Sequence, residues 1–106
     1  MRPQTSLPIN VKKTLKKLGH DIREARIRRR ISTQLMADRV GTTRMTLRSI
    51  ELGSSQVSIG FYATCLYVLG LLENLSVVAD IANDKVGQAL ASDTLPKRIV
   101  TKRNFL

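Results

Sequence analysis

QLMADRVGTTRMTLRSIEL, residues 34–52, reads as two short helices joined by a tight turn centred on Gly41, and the rest of the chain is arranged around this unit. In the first helix Leu35, Met36 and Val40, with the small Ala37, form an apolar face, and in the second Leu47 and Ile50 do so with Thr43 on the same side. Gly41 supplies the backbone freedom of a sharp interhelical corner, and Thr42 is placed to cap the helix that follows. The opposite side of the second helix carries Met45, Arg48 and Ser49, flanked by Arg44 and Thr46. Cations, hydroxyls and one flexible apolar side chain on an outward face suit the DNA major groove, where Arg reads guanine and a thioether packs on a thymine methyl. Read singly, Arg44 and Arg48 are ordinary solvated surface cations. The turn and the basic helix before it favour the recognition-helix reading.

Charge points the same way. The chain has 106 residues, enough for one small domain with an appendage, and its 18 Lys and Arg against 8 Asp and Glu give a net charge of +10, the footprint of a partner to a polyanion. No apolar run is long enough to span a bilayer and no signal-peptide pattern opens the chain, so the expected location is the cytoplasm. The cations concentrate at the two ends, residues 1–30 and 97–103, whereas residues 71–95 hold only Lys85 against Glu73, Asp80, Asp84 and Asp93. That middle segment suits protein contacts better than phosphate.

Before the central unit, Val11, Leu15, Leu18, Ile22 and Ala25 recur at helical spacing and predict a first helix ending near Arg30, with Ser6 and Pro8 placed to start it. Lys12, Lys13, Lys16 and Lys17 on its sides form either a phosphate-binding arm or a solubilising face. Arg26 falls at the core edge, where it needs a carboxylate, and Glu51 at the inner edge of the later helix is the available one. Ser32 reads as the N-cap of the next helix. Its first turn, with Thr33 and Gln34, offers amides, a hydroxyl and a carboxamide to a phosphate.

Downstream, Ser58 can cap a helix over residues 59–69 that ends at Gly70. Ile59, Tyr62, Ala63 and Leu66 cover one side, and Phe61, Cys65 and Val68 another, which predicts burial on two sides. Residues 71–82 then predict an amphipathic helix with Leu71, Leu72, Leu75, Val78, Ala79 and Ala82 on one stripe, followed by a short helical pattern after Asp84. Phe61, Cys65, Val68, Leu72, Leu75 and Ala79 are therefore the candidate dimer or partner surface. A basic tail breaks periodicity at Pro96.

No enzyme constellation is present. Cys65 and His20 lie on different helices, no Gly-rich phosphate loop occurs, and neither a metal site nor a cofactor is expected. An RNA-binding or membrane-surface protein is the rival class, but RNA readers generally need stacking aromatics, and Phe61, Tyr62 and Tyr67 are better spent on a core. Leu15 and Leu18, the leucines a membrane-surface helix would use, are likewise needed in the core.

Leu18 to Leu71 resembles the phage repressor and Cro (XRE) class of helix-turn-helix proteins, through LGHDIREARIRRR leading to IS, then LMADRVGTT, TLRSIELG and a helix ending LGL. The resemblance implies an all-α fold: a five-helix repressor-like domain, here with a short helical C-terminal extension, acting as a homodimeric, autoregulatory repressor on double-stranded operator DNA. It implies base reading by Arg44, Met45 and Ser49 and backbone contacts near Thr42, Thr43 and Arg48; Ser32, Thr33 and Gln34 in the first turn of the earlier helix, and the outward Thr46, are the backbone candidates that the residues themselves offer. Arg26 and Glu51 match its ion pair between helices one and three. Two positions depart from the pattern: Thr33 stands where Gln is usual, with Gln34 one place later, and Leu52 is apolar. Residues from Leu71 through LASDTLPKRIV look like the tails of HipB-like antitoxins, which implies a HipA-like kinase toxin as partner; a stand-alone repressor is the alternative. The expected organisation is a lead over 1–10, the DNA-binding domain over 11–71, a dimerisation or partner extension over 72–92 and a tail over 93–106.

Overall fold

Pro8 presets the backbone for a helix start, its carbonyl accepting from the amides of Val11 and Lys12, and α1 (Ile9–Arg28) begins behind it. The computed structural model describes residues 6–91. Among these it is all-helical, with α2 (Thr33–Val40), α3 (Arg44–Glu51), α4 (Ile59–Leu69), α5 (Leu72–Ser76), a 3-10 turn (Ile81–Asn83) and α6 (Lys85–Leu90). Six helices thus stand where five and an extension were expected. The basic tail and residues 1–5 of the lead lie outside the described residues.

The core is one apolar stripe from each of four helices: Ile22 and Ala25 of α1, Met36, Ala37 and Val40 of α2, Leu47 and Ile50 of α3, and Tyr62, Cys65, Leu66 and Leu69 of α4. Ile22, Met36, Leu47 and Ile50 are each at most 1% exposed, and full burial of such a side chain stabilises by roughly 1.5–3 kcal/mol. Leu18, Ile31, Val57, Leu71 and Leu75 close the edges.

Several expected core positions lie outside. Leu35 is exposed because the eight-residue α2 buries the 36, 37, 40 stripe, from which position 35 is rotated away. Val11 is also exposed, about two turns before the first buried residue of α1, Gly19. Thr43 is exposed as the N-cap of α3, not part of its inner face. On α4 the two expected apolar sides are replaced by a single buried stripe, Tyr62, Cys65, Leu66 and Leu69, at i, i+3, i+4 and i+7. Cys65 is 0% exposed within this core, so it is no part of a dimer surface. Phe61 and Val68 flank the stripe half-buried, while Ile59 and Tyr67 stand out in solvent.

The long amphipathic helix over 71–82 is absent. α5 stops at Ser76, and Ala79 lies in a turn, off any stripe with Leu72 and Leu75. Local polar side chains outcompete the helix. Asp80 accepts from the Ala82 amide at 2.9 Å, Asn83 Nδ2 donates to the Val77 carbonyl at 2.6 Å, and the β-branched pair Val77–Val78 is a weak helix former. Asp84 caps α6 through the Gly87 amide. The chain divides into two units between Leu75 and Ser76, later than the expected boundary at 71, so α5 up to Leu75 belongs to the first unit.

Candidate nucleic-acid interface

α2 opens with Ser32 as N-cap, its hydroxyl accepting from the Leu35 amide at 3.1 Å. It closes at Gly41, whose left-handed φ of 83° lets its own amide and that of Thr42 both return to the Ala37 carbonyl. Thr42 is therefore spent on ending α2. The capping role expected of it falls to Thr43, whose hydroxyl accepts from the Thr46 amide at 3.1 Å and donates to the Thr46 hydroxyl. The corner holds two residues between Gly41 and Arg44, so the start of α3 is fixed relative to α2.

Along α3, Leu47 and Ile50 point inward, while Arg44, Met45 and Arg48 are exposed and Ser49 is half-buried. Met45 is 78% exposed, so its thioether is free to meet a partner. Met45 and Ser49 share one face at i, i+4, and Arg44 and Arg48 share the adjacent one. No acid lies in the first turn of α3.

A cleft of about 270 Å³ runs beside α3, lined by Arg23 and Arg26 of α1, Thr33 of α2, and Arg44, Leu47, Arg48, Glu51 and Leu52. It brings Thr33 together with Arg44 and Arg48, which lie far apart in sequence. Arg26 and Glu51 meet here, with Nε to Oε2 at 2.7 Å and Nη2 to Oε1 at 3.1 Å, and Nη1 of Arg26 donates to the Ile31 carbonyl at 2.9 Å. Both side chains are 8% exposed. The one carboxylate among the described lining residues is thereby occupied, and Arg44 and Arg48 remain to face an anion, while Arg23 contacts its neighbour Glu24 at 3.4 Å on the exposed rim. Gln34 is exposed, its amide nitrogen donating along α2 to Asp38 Oδ1 at 2.9 Å.

Two contributors were not singled out from sequence. Arg23 sits three residues before Arg26 and so shares its helical edge, which was the available signal. Gly19, buried where α1 crosses the end of α3, had none, because a helical glycine carries no periodicity.

Elsewhere, Lys17 donates to Asp21 at 2.6 Å, and this bond holds the exposed Asp21 carboxyl below its usual range. Burial raises the Tyr62 hydroxyl, with the Cys65 thiol adding to the effect. Burial, aided by the Glu51 charge, pushes the Cys65 thiol from 9.0 up to about 11. At pH 8 that means about 100-fold less thiolate than an open cysteine has, so iodoacetamide should label Cys65 only as the protein unfolds. Labelling of the native chain at the rate of the urea-unfolded one would show that the thiol is open.

The chain matches no known family model, no curated protein and no solved structure.

Proposed function

We propose that the protein is a sequence-specific double-stranded DNA-binding repressor, with α2 and α3 as a repressor-like helix-turn-helix and α3 as the element that enters the major groove. The observation that carries this reading is the exposed α3 face of Arg44, Met45, Arg48 and Ser49 beside a cleft whose one carboxylate among the described lining residues is already paired. Arg44, Met45 and Ser49 read bases. Thr33, Arg48 and the first turns of α2 and α3, behind the caps Ser32 and Thr43, meet the sugar-phosphate backbone, and Arg23 joins them. The protein binds as a homodimer to half-sites about one helical turn apart, with Phe61, Val68, Leu72 and the exposed Ile59 and Tyr67 available to the partner subunit.

Footprinting the region upstream of its own gene supplies the operator for the test. At one salt concentration, Arg44→Ala should weaken binding to that operator by about 1–3 kcal/mol and binding to random DNA much less. Equal losses on both would make Arg44 a phosphate clamp and pass base reading to Met45 and Ser49. A chain that shows no preference among duplex sequences would overturn the repressor reading.

One observation favours a further partner. Residues 76–90 bury no side chain and expose Val77, Val78, Ile81, Val86 and Leu90, an apolar display held in shape by the Asp80 and Asp84 caps. This fits the antitoxin reading, in which a kinase toxin docks on the extension while α3 holds DNA. Co-elution of the full chain with the product of the adjacent gene tests it.

A further inference from the structure

Away from α3, two clefts adjoin in the first unit. One, of about 380 Å³, is apolar, walled by Leu7, Val11, Leu15, Leu18, Val57, Ile59, Tyr62, Leu66 and Leu75, with Ser54 and Ser55 on its rim. The other, of about 270 Å³, is lined by Ser6, Lys12, Lys16, Gly53 and Gln56. Leu7, Leu15 and Ser55 line both, so the apolar groove and the cationic cleft share a wall and lie side by side.

Three features set what this double cleft can hold. Its apolar part lies at the small end of small-molecule sites, about 300–1,000 Å³, and has room for a single medium-length alkyl chain. The Tyr62 hydroxyl donates to the Ser54 carbonyl at 2.6 Å, so this wall is formed before any ligand arrives and its polar atom is satisfied. At the mouth Lys12 and Lys16 stand one turn apart on α1, with the Ser6 and Ser55 hydroxyls and the Gln56 amide beside them; among the described residues neither lysine is in an ion pair and neither lining holds a carboxylate. An apolar slot with an acid-free cationic mouth is complementary to a chain that ends in an anion.

We propose that the groove binds a medium-chain alkyl carboxylate, its chain along Leu7, Leu15, Val57 and Leu66 and its carboxylate between Lys12 and Lys16. The inference does not depend on DNA binding. Titration calorimetry of the full-length chain with decanoate, kept below its micellar range, tests it. Saturable binding is expected, tightening about threefold to fourfold per methylene from hexanoate to decanoate. Decanol, which lacks the charge, should bind about tenfold more weakly or worse, and the double variant Lys12→Gln/Lys16→Gln should reduce decanoate to the decanol level. Both lysines are exposed, so the variant should keep the parent circular dichroism and melting temperature. Three results would overturn the proposal: no binding of decanoate, equal affinity for decanoate and decanol, or decanoate binding that appears only as a dimer dissociates in sedimentation. The last would make the groove an interface between copies of the chain.

Discussion

Arg26→Ala is expected to destabilise the fold by about 3–5 kcal/mol, a large share of the 5–15 kcal/mol that holds a typical domain together. Both members of the Arg26–Glu51 pair are nearly out of solvent, and the guanidinium is used three times, twice on Glu51 and once on the Ile31 carbonyl. Removing it strands a buried carboxylate and leaves a carbonyl unpaired. Glu51→Ala should cost somewhat less, because the remaining cation keeps its bond to Ile31. The combined Arg26→Met/Glu51→Leu variant should recover much of the loss, since well-packed apolar replacements of buried ion pairs are often neutral or stabilising. Urea unfolding of all four proteins gives the coupling, expected at about 1–3 kcal/mol. Additive single losses would mean that each side chain acts alone and that the pair does not tie α1 to α3.

That pair shows which kind of information the chain carried openly. Arg26 and Glu51 were legible because each interrupts an apolar stripe at its edge, and a buried charge has few permitted solutions. The same logic located Met36, Ala37, Val40, Leu47 and Ile50, whose spacing repeats with the helix, and Gly41 as a left-handed corner. Where two physical effects competed, periodicity was a poor guide. Residues 71–82 have an amphipathic pattern, yet Asp80 and Asn83 bond locally and the helix ends at Ser76. α4 is apolar nearly all round, so its pattern could not say that Cys65 faces inward while Ile59 and Tyr67 face solvent. For the candidate site, the exposed residues of α3 were readable from the inner face they oppose. The cleft was not, because Arg23 and Thr33 reach it only through the crossing of three helices.

The crossing of α1 with the end of α3 rests on Gly19, and Gly19→Ala is expected to cost about 3 kcal/mol or more. A methyl group there would press on the Ile50 carbonyl and come within 2.6 Å of the Gly53 nitrogen and 2.8 Å of the Glu51 carbonyl. All three are backbone atoms, two in the last turn of α3 and one just past its C-cap, and cannot rotate aside. Gly53 answers from the other side: at φ 78°, a Cβ on it would sit 2.5 Å from the Leu15 carbonyl, so both chains are bare where they touch. Helix propensity alone predicts the opposite sign, since glycine to alanine inside a helix should stabilise by about 1 kcal/mol. Gly60→Ala in α4 isolates that term, because its nearest neighbour would be the Ser58 hydroxyl at 3.7 Å. Thermal unfolding should therefore move the two variants in opposite directions, down for Gly19→Ala and level or up for Gly60→Ala. If Gly19→Ala also rises, α1 and α3 do not approach this closely. If it falls but still folds, α1 can relieve the contact only by moving away from α3, which separates Arg26 from Glu51 and Arg23 from Arg44. On the proposed function, operator affinity should then drop together with stability, although no residue of the proposed DNA face has changed.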